Sequence, residues 1–233
     1  MVPLVVIRPE PGCAATVSAA RDAGLDPQGF PLFAVTPRSW SAPPPDAHDA
    51  LLLGSANAIR HAGPGLAAVR HLPAYAVGDA TADVARASGI TVIGQGQGGL
   101  QSVLGQLDPT HRRLLRLAGE ERIALTPPAG VTMAERVVYA SRAQPMPPEL
   151  VKLLGEPALV ALHSAEAAHH FAAECVRNGL RRARLRLCAL GPRIAAAAGD
   201  GWGEVAVAAD TSDRALLALA RQMCQDPWGK TNS

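Results

Sequence analysis

The chain has 233 residues, 48% hydrophobic and 18% charged, enough for one large or two small soluble domains, each with a core of its own. A formal net charge of +2 gives no nucleic-acid footprint, and 3% aromatic content leaves no stacking platform for single strands. The four cysteines, Cys13, Cys175, Cys188 and Cys224, form no CxxC pair and no zinc-like spacing, which fits reduced thiols in a cytoplasmic protein without a metal.

The N-terminal run "LVVIRPEPG" predicts a strand that ends at Arg8. It has no basic flank and is too short for a signal peptide or a membrane span. A helical stretch and a second strand, Pro31 to Val35, follow. Next comes a Pro-rich segment, "FAVTPRSWSAPPPD", which reads as extended chain. In "DALLLGSANAIRHAG" an apolar run ends at Ser55 and a helix begins at once. In "AYAVGDATADVARASGITVIG" a strand stops at Gly78, a helix opens at Asp79, Gly89 ends it, and a strand follows over Ile90 to Ile93. "GQGQGGL" (Gly94 to Leu100) reads as a flexible loop; it lacks the acidic partner of a dinucleotide fingerprint. A helix is expected over Leu100 to Leu107.

The pattern then repeats. "LLRLAGEER" around Arg116 parallels the N-terminal strand and predicts a helical stretch and a strand from Arg136 to Ala140. A second Pro-rich segment, "YASRAQPMPPEL", parallels the first. "PALVALHSAEAAHHFA" repeats the strand-Ser-helix plan at Ser164, and "LCALGPRIAAAAGDGWGEVAVA" repeats the strand-Gly-helix plan at Gly191. Val205 to Ala208 closes the set of strands, and a helix from Ser212 to Cys224 precedes a loose tail, Asp226 to Ser233. Apolar runs alternating with helices are the mark of parallel sheets with crossover helices. The expected fold is α/β, with two similar domains, each a parallel sheet flanked by helices. Cuts at the Pro-rich segments give a discontinuous domain, 1–36 with 144–233, and a second domain, 37–143. Two linkers and a cleft between the lobes complete the expected design.

Ligands of an open parallel sheet bind beyond the carboxyl ends of its strands, here Arg8, Ser55, Gly78, Gly119, Ser164 and Gly191. Each precedes a helix start on this reading, where free N–H groups favour an anion. Ser55 and Ser164 serve equally as helix caps or ligand contacts. The basic run Arg177 to Arg186 suits a solvated helix end as well as an anionic partner. His163, His169 and His170 have no carboxylate or thiol spacing to complete a metal site. Tyr139, one of two tyrosines, stands where a strand meets a linker and suits a cleft or simple packing.

Five stretches together, "LLLGSANAIR", "AYAVGDATADVARASG", "RVVYASRAQP", "LVALHSAEAAHHF" and "LCALGPRIAAAAGDGW", resemble the uroporphyrinogen-III synthase family. The resemblance implies conversion of hydroxymethylbilane, a linear tetrapyrrole polycarboxylate, to uroporphyrinogen III, with loss of water and inversion of ring D through a spiro intermediate. It implies no cofactor and no metal, a cytoplasmic monomer without membrane or nucleic-acid partners, and transient contact with hydroxymethylbilane synthase. Tyr139 falls at the family's tyrosine, the candidate to assist departure of the hydroxyl. Ser55, Ala56, Asn57, Thr81, Ser164 and Ala165 fall at positions expected to hold carboxylates, alongside Arg8, Gly78, Gly119 and Gly191. Three positions depart from the pattern: Gly54 replaces a threonine, Arg193-Ile194 replace a hydroxyl-bearing pair, and His163 stands where Phe or Thr is more familiar. Arg193 is positioned to bind a carboxylate or to face solvent. The competing class is a non-catalytic two-lobed binding or sensor protein for small anions.

Overall fold

The structure, a computed structural model, describes residues 2–96 and 98–225. The expected loose tail, Asp226 to Ser233, lies outside these residues, as does Gln97 of the expected glycine loop. In chain order the elements are β1 (Leu4–Val6), α1 (Gly12–Asp22), β2 (Pro27–Gly29), β3 (Phe33–Pro37), β4 (Ala50–Leu53) and α2 (Ala56–Arg60). Then come β5 (Ala74–Val77), α3 (Asp79–Ala87), β6 (Val92–Gly96), α4 (Leu100–Val103), β7 (Arg113–Gly119) and β8 (Thr132–Ala143). The last seven are α5 (Pro148–Leu153), β9 (Ala158–Leu162), α6 (Ala165–Arg177), β10 (Leu185–Ala189), α7 (Pro192–Ala198), β11 (Glu204–Val207) and α8 (Asp213–Gln225). The chain divides into two units: one runs to Ala34 and resumes at Ala143, and the other is Val35–Arg142.

The first unit holds a five-stranded sheet in the order β11-β10-β9-β1-β2, with every neighbouring pair parallel. Alternation along β1 explains its two faces. Val5 and Ile7 point into a core with Phe171 and Cys175 of α6 and Leu150 of α5. Leu4 and Val6 point into a second core with Val17 of α1 and Leu216 and Met223 of α8. Both faces are covered, so β9, "ALVAL", is buried at all five positions. Phe171 stacks on Trp202 with centroids 5.6 Å apart, and Arg182 lies over the outer ring. Glu174, 1% exposed, accepts the Met146 N–H at 2.7 Å and so ties the Pro-rich segment to α6.

The second unit holds a six-stranded sheet in the order β3-β8-β7-β4-β5-β6. Leu51, Leu53, Leu115 and Leu117 face α2 and α3. Leu52, Tyr75 and Leu114 face α4, with Leu125 and Val131 packed alongside. Two expectations fail here. The stretch expected to be helical between β7 and β8 contains no helix, only irregular chain and a turn at Ala129-Gly130. Pro127 and Pro128 remove two donors, and Gly130 adopts φ +79°, so the segment cannot sustain a helical ladder. The expected loop at Gly94 is instead strand, since β6 runs on to Gly96. Gly94 lies against the Tyr75 ring, and a Cβ on Gly96 would strike Val103 Cγ2 at 2.5 Å. Those glycines serve close packing within the sheet rather than freedom of the backbone.

Candidate active site

The strand ends of the second unit bring together three of the residues singled out from the sequence. Ser55 follows β4, Gly119 ends β7, and Tyr139 lies on β8. They line a cavity of about 130 Å³ with Gly54, Arg116 and Arg122. The β7–β8 register shifts between Ala118 and Gly119, and this places Gly119 opposite Tyr139. The tyrosine ring lies directly over the glycine: a Cβ on Gly119 would sit 2.7 Å from Tyr139 Cζ and 2.9 Å from its hydroxyl. The ring centroid of His61 is 6.2 Å from that of Tyr139, with the two rings tilted 39° to each other. Burial, with the charge of Arg60 beside it, pushes the His61 imidazole below its ordinary pKa and favours the neutral ring.

Ser55 caps α2, its Oγ accepting the Asn57 N–H at 3.2 Å. The cap consumes a lone pair and leaves the hydroxyl proton to donate. Ala56 and Asn57 open α2, whose single turn ends at Arg60. Gly54 packs against Leu100: a Cβ there would meet Leu100 Cδ1 at 2.8 Å.

Charge in this cavity comes from a network the sequence did not disclose. Arg116, 6% exposed, donates from Nη1 to Glu135 Oε1 at 2.7 Å and to the Ile123 carbonyl at 2.9 Å. Arg122 Nε donates to Glu135 Oε2 at 2.8 Å, and its Nη1 to the Glu120 carbonyl at 2.9 Å. Burial raises the pKa of Glu135, but the hydrogen bonds from Arg122 and Arg116 outweigh it and hold the carboxyl below its ordinary range. The available signal was alternation: in "RLLRLAG" a charged residue occupies a position that shares a face with Leu114.

The other expected residues lie elsewhere. Gly78 has φ +75°, a conformation suited to glycine, and its N–H is committed to the Gly96 carbonyl at 3.0 Å. Thr81 is buried in the first turn of α3. Asp79 beside it accepts from Gln95 at 2.5 Å, so the open mouth of that turn carries a negative charge. In the first unit, Arg8 is not a free cation. Its Nη1 lies 2.8 Å from Asp213 Oδ2 and 3.2 Å from Thr16 Oγ1. His163 lies beside this pair, with its Nε2 3.6 Å from Asp213 Oδ1. Both of its ring nitrogens are buried without a hydrogen-bond partner among the described residues. Burial, reinforced by the charge of Arg8 and opposed by Asp213, pushes its pKa down to about 4. Ser164 caps α6 through the Ala167 N–H at 3.1 Å, and Ala165 is the first residue of that helix. Gly191 precedes α7 in an extended conformation, and Arg193 is exposed on its first turn.

The family model described as "Uroporphyrinogen-III synthase HemD" matches residues 14–218. The chain belongs to the uroporphyrinogen-III synthase family. Among solved structures, a uroporphyrinogen-III synthetase from Helicobacter pylori is similar at 17% identity and TM-score 0.67, over 96% of this chain and all of that one. A mutant uroporphyrinogen III synthase from Thermus thermophilus is similar at 17% identity and TM-score 0.56, over 97% and all of the two chains. At such identity these likenesses speak for the fold, whose parallel sheets flanked by helices they share. No curated sequence matches the chain. Among the described residues no helix is long and apolar enough to cross a membrane, and no three His, Cys, Asp or Glu side chains group as metal ligands.

Proposed function

We propose that the protein converts hydroxymethylbilane to uroporphyrinogen III and that Tyr139 assists departure of the hydroxyl. The observation that carries this assignment is the tyrosine held over Gly119, in a cavity shared with Ser55 and two arginines. The pyrrole nitrogen supplies the electrons that expel the hydroxyl. The phenol donates a proton to it as water forms, and a proton lost later from the macrocycle restores the phenol. Arg116 and Arg122 favour a polycarboxylate next to that phenol, and the Ser55 hydroxyl offers a further donor. The larger share of the work is positioning, since a flexible linear tetrapyrrole must be held in the one shape that inverts its last ring. A non-catalytic anion-binding role is not favoured by family membership. We propose further that the enzyme acts as a monomer and accepts its unstable substrate from hydroxymethylbilane synthase.

Tyr139→Phe tests the assignment. It removes one hydroxyl and keeps the ring over Gly119. The expected result is a fall in kcat of about a hundredfold, the low end for a general acid, with Tm nearly unchanged. An unchanged kcat with a lowered Tm would make Tyr139 a packing residue.

A further inference from the structure

The connection between β7 and β8 has no helix to hold it, and the Arg116–Glu135–Arg122 network stands in its place. Arg116 and Glu135 are register partners on adjacent strands. The guanidinium of Arg116 also pins the crossover through the Ile123 carbonyl, while Arg122 rises from the crossover and closes onto Glu135. Two guanidinium groups share one carboxylate. With two cations on one carboxylate, the three side chains carry one net positive charge, and Arg116 Nε is buried with no partner among the described residues. Glu121 also lines the cavity, at its exposed side, and Glu120 is committed to Arg38 and Arg142.

The two arginines are not equivalent. Arg116 has a side chain 7% exposed, and stripping it of Glu135 would leave a buried charge unpaired. Arg122 is 31% exposed, and its bonds use Nε and one hydrogen of Nη1. Its Nη2 and the second Nη1 hydrogen have no partner among the described residues, on a planar guanidinium of the kind that matches a carboxylate.

We propose that Arg122 binds a carboxylate of the substrate beside Tyr139, and that Arg116 and Glu135 are positioning residues that hold it there. The inference rests on the proposed function and names a specificity-determining residue of the same site. It explains how a crossover without a helix N-terminus still meets an anion: a tethered guanidinium replaces the missing backbone donors.

The test is steady-state kinetics with hydroxymethylbilane generated in situ, for wild type, Arg122→Gln, Arg122→Lys and Glu135→Gln. Arg122→Gln is expected to raise KM about tenfold, the effect of one charge-assisted hydrogen bond, with kcat within about twofold of wild type. Arg122→Lys recovers part of that loss, since the charge returns without the fork. Glu135→Gln weakens the tether and raises KM although both cations remain. Raising the salt concentration increases the wild-type KM more than that of Arg122→Gln. A wild-type KM in Arg122→Gln overturns the assignment. So does a fall in kcat and Tm together with KM unchanged, which marks a strut for the crossover and nothing more. Wild-type protein that yields isomer I alone overturns the enzymatic function itself, whereas isomer III with Arg122→Gln unaltered overturns only the role of Arg122.

Discussion

His163 shows how a single residue can carry a charge problem that the sequence conceals. The side chain is 6% exposed, beside the Arg8–Asp213 pair. Its pKa falls from the ordinary 6.5 to about 4 because burial and Arg8 both oppose the proton. Between these values the unfolded chain binds a proton that the folded chain refuses, so stability is complete above about pH 6.5 and declines as pH falls towards 4. His163→Phe removes that linkage and keeps an aromatic ring in the buried position. The variant is expected to gain on wild type as the pH drops from 7 to 5, read as the difference in urea unfolding midpoints. Parallel curves would mean that His163 takes up its proton in the folded state. Residue types announced the strand ends, Arg8 and Ser55 among them, but not the partner of Arg8. Asp213 lies 205 positions away in the chain, and no local pattern reports such a pairing. Burial pushes the Cys13 thiol up to about 11 and the Cys175 thiol up to about 12, so neither is a ready nucleophile.

At the level of elements, the β7–β8 pair decides the geometry of the site. A register shift sets Gly119 under the ring of Tyr139, and nothing larger fits while the ring stays in place. Gly119→Ala is therefore expected to displace the ring and lower kcat by about tenfold or more, since misplacement of the proposed proton donor is costly. Its cost in stability is that of mild overpacking, about 1–3 kcal/mol. Chemical denaturation and kinetics on the same preparation check both; a fully active Gly119→Ala would show that the ring need not rest there. Strands such as β4 and β9 were legible because they are continuous apolar runs of strand length, and their helices because Ser55 and Ser164 announce caps. The missing helix after β7 was not, because repeat logic carried the plan of β1–α1 onto a segment whose Pro127-Pro128 and Gly130 forbid it. The β6 glycines misled in the opposite direction, since a glycine-rich string reads as a loop until a neighbour such as Tyr75 is known to fill the space.

At the level of the whole molecule, repetition was the most informative property of the sequence. Each unit builds an open sheet from apolar runs, and the carboxyl ends of its strands collect the polar residues: Arg8, Thr16, His163 and Asp213 in one, Ser55, Arg116, Arg122 and Tyr139 in the other. The chemistry needs no reactive dyad. A phenol, a hydroxyl and paired guanidinium groups suit a reaction whose main difficulty is the shape of its substrate. Hydroxymethylbilane generated in situ by its deaminase closes spontaneously to uroporphyrinogen I, without inversion of ring D. With this protein present, oxidation of the products and chromatographic separation of the uroporphyrin isomers are expected to show isomer III in place of isomer I. Isomer I alone, from folded protein at a concentration well above that of the deaminase, would contradict the assignment of the cavity as an active site.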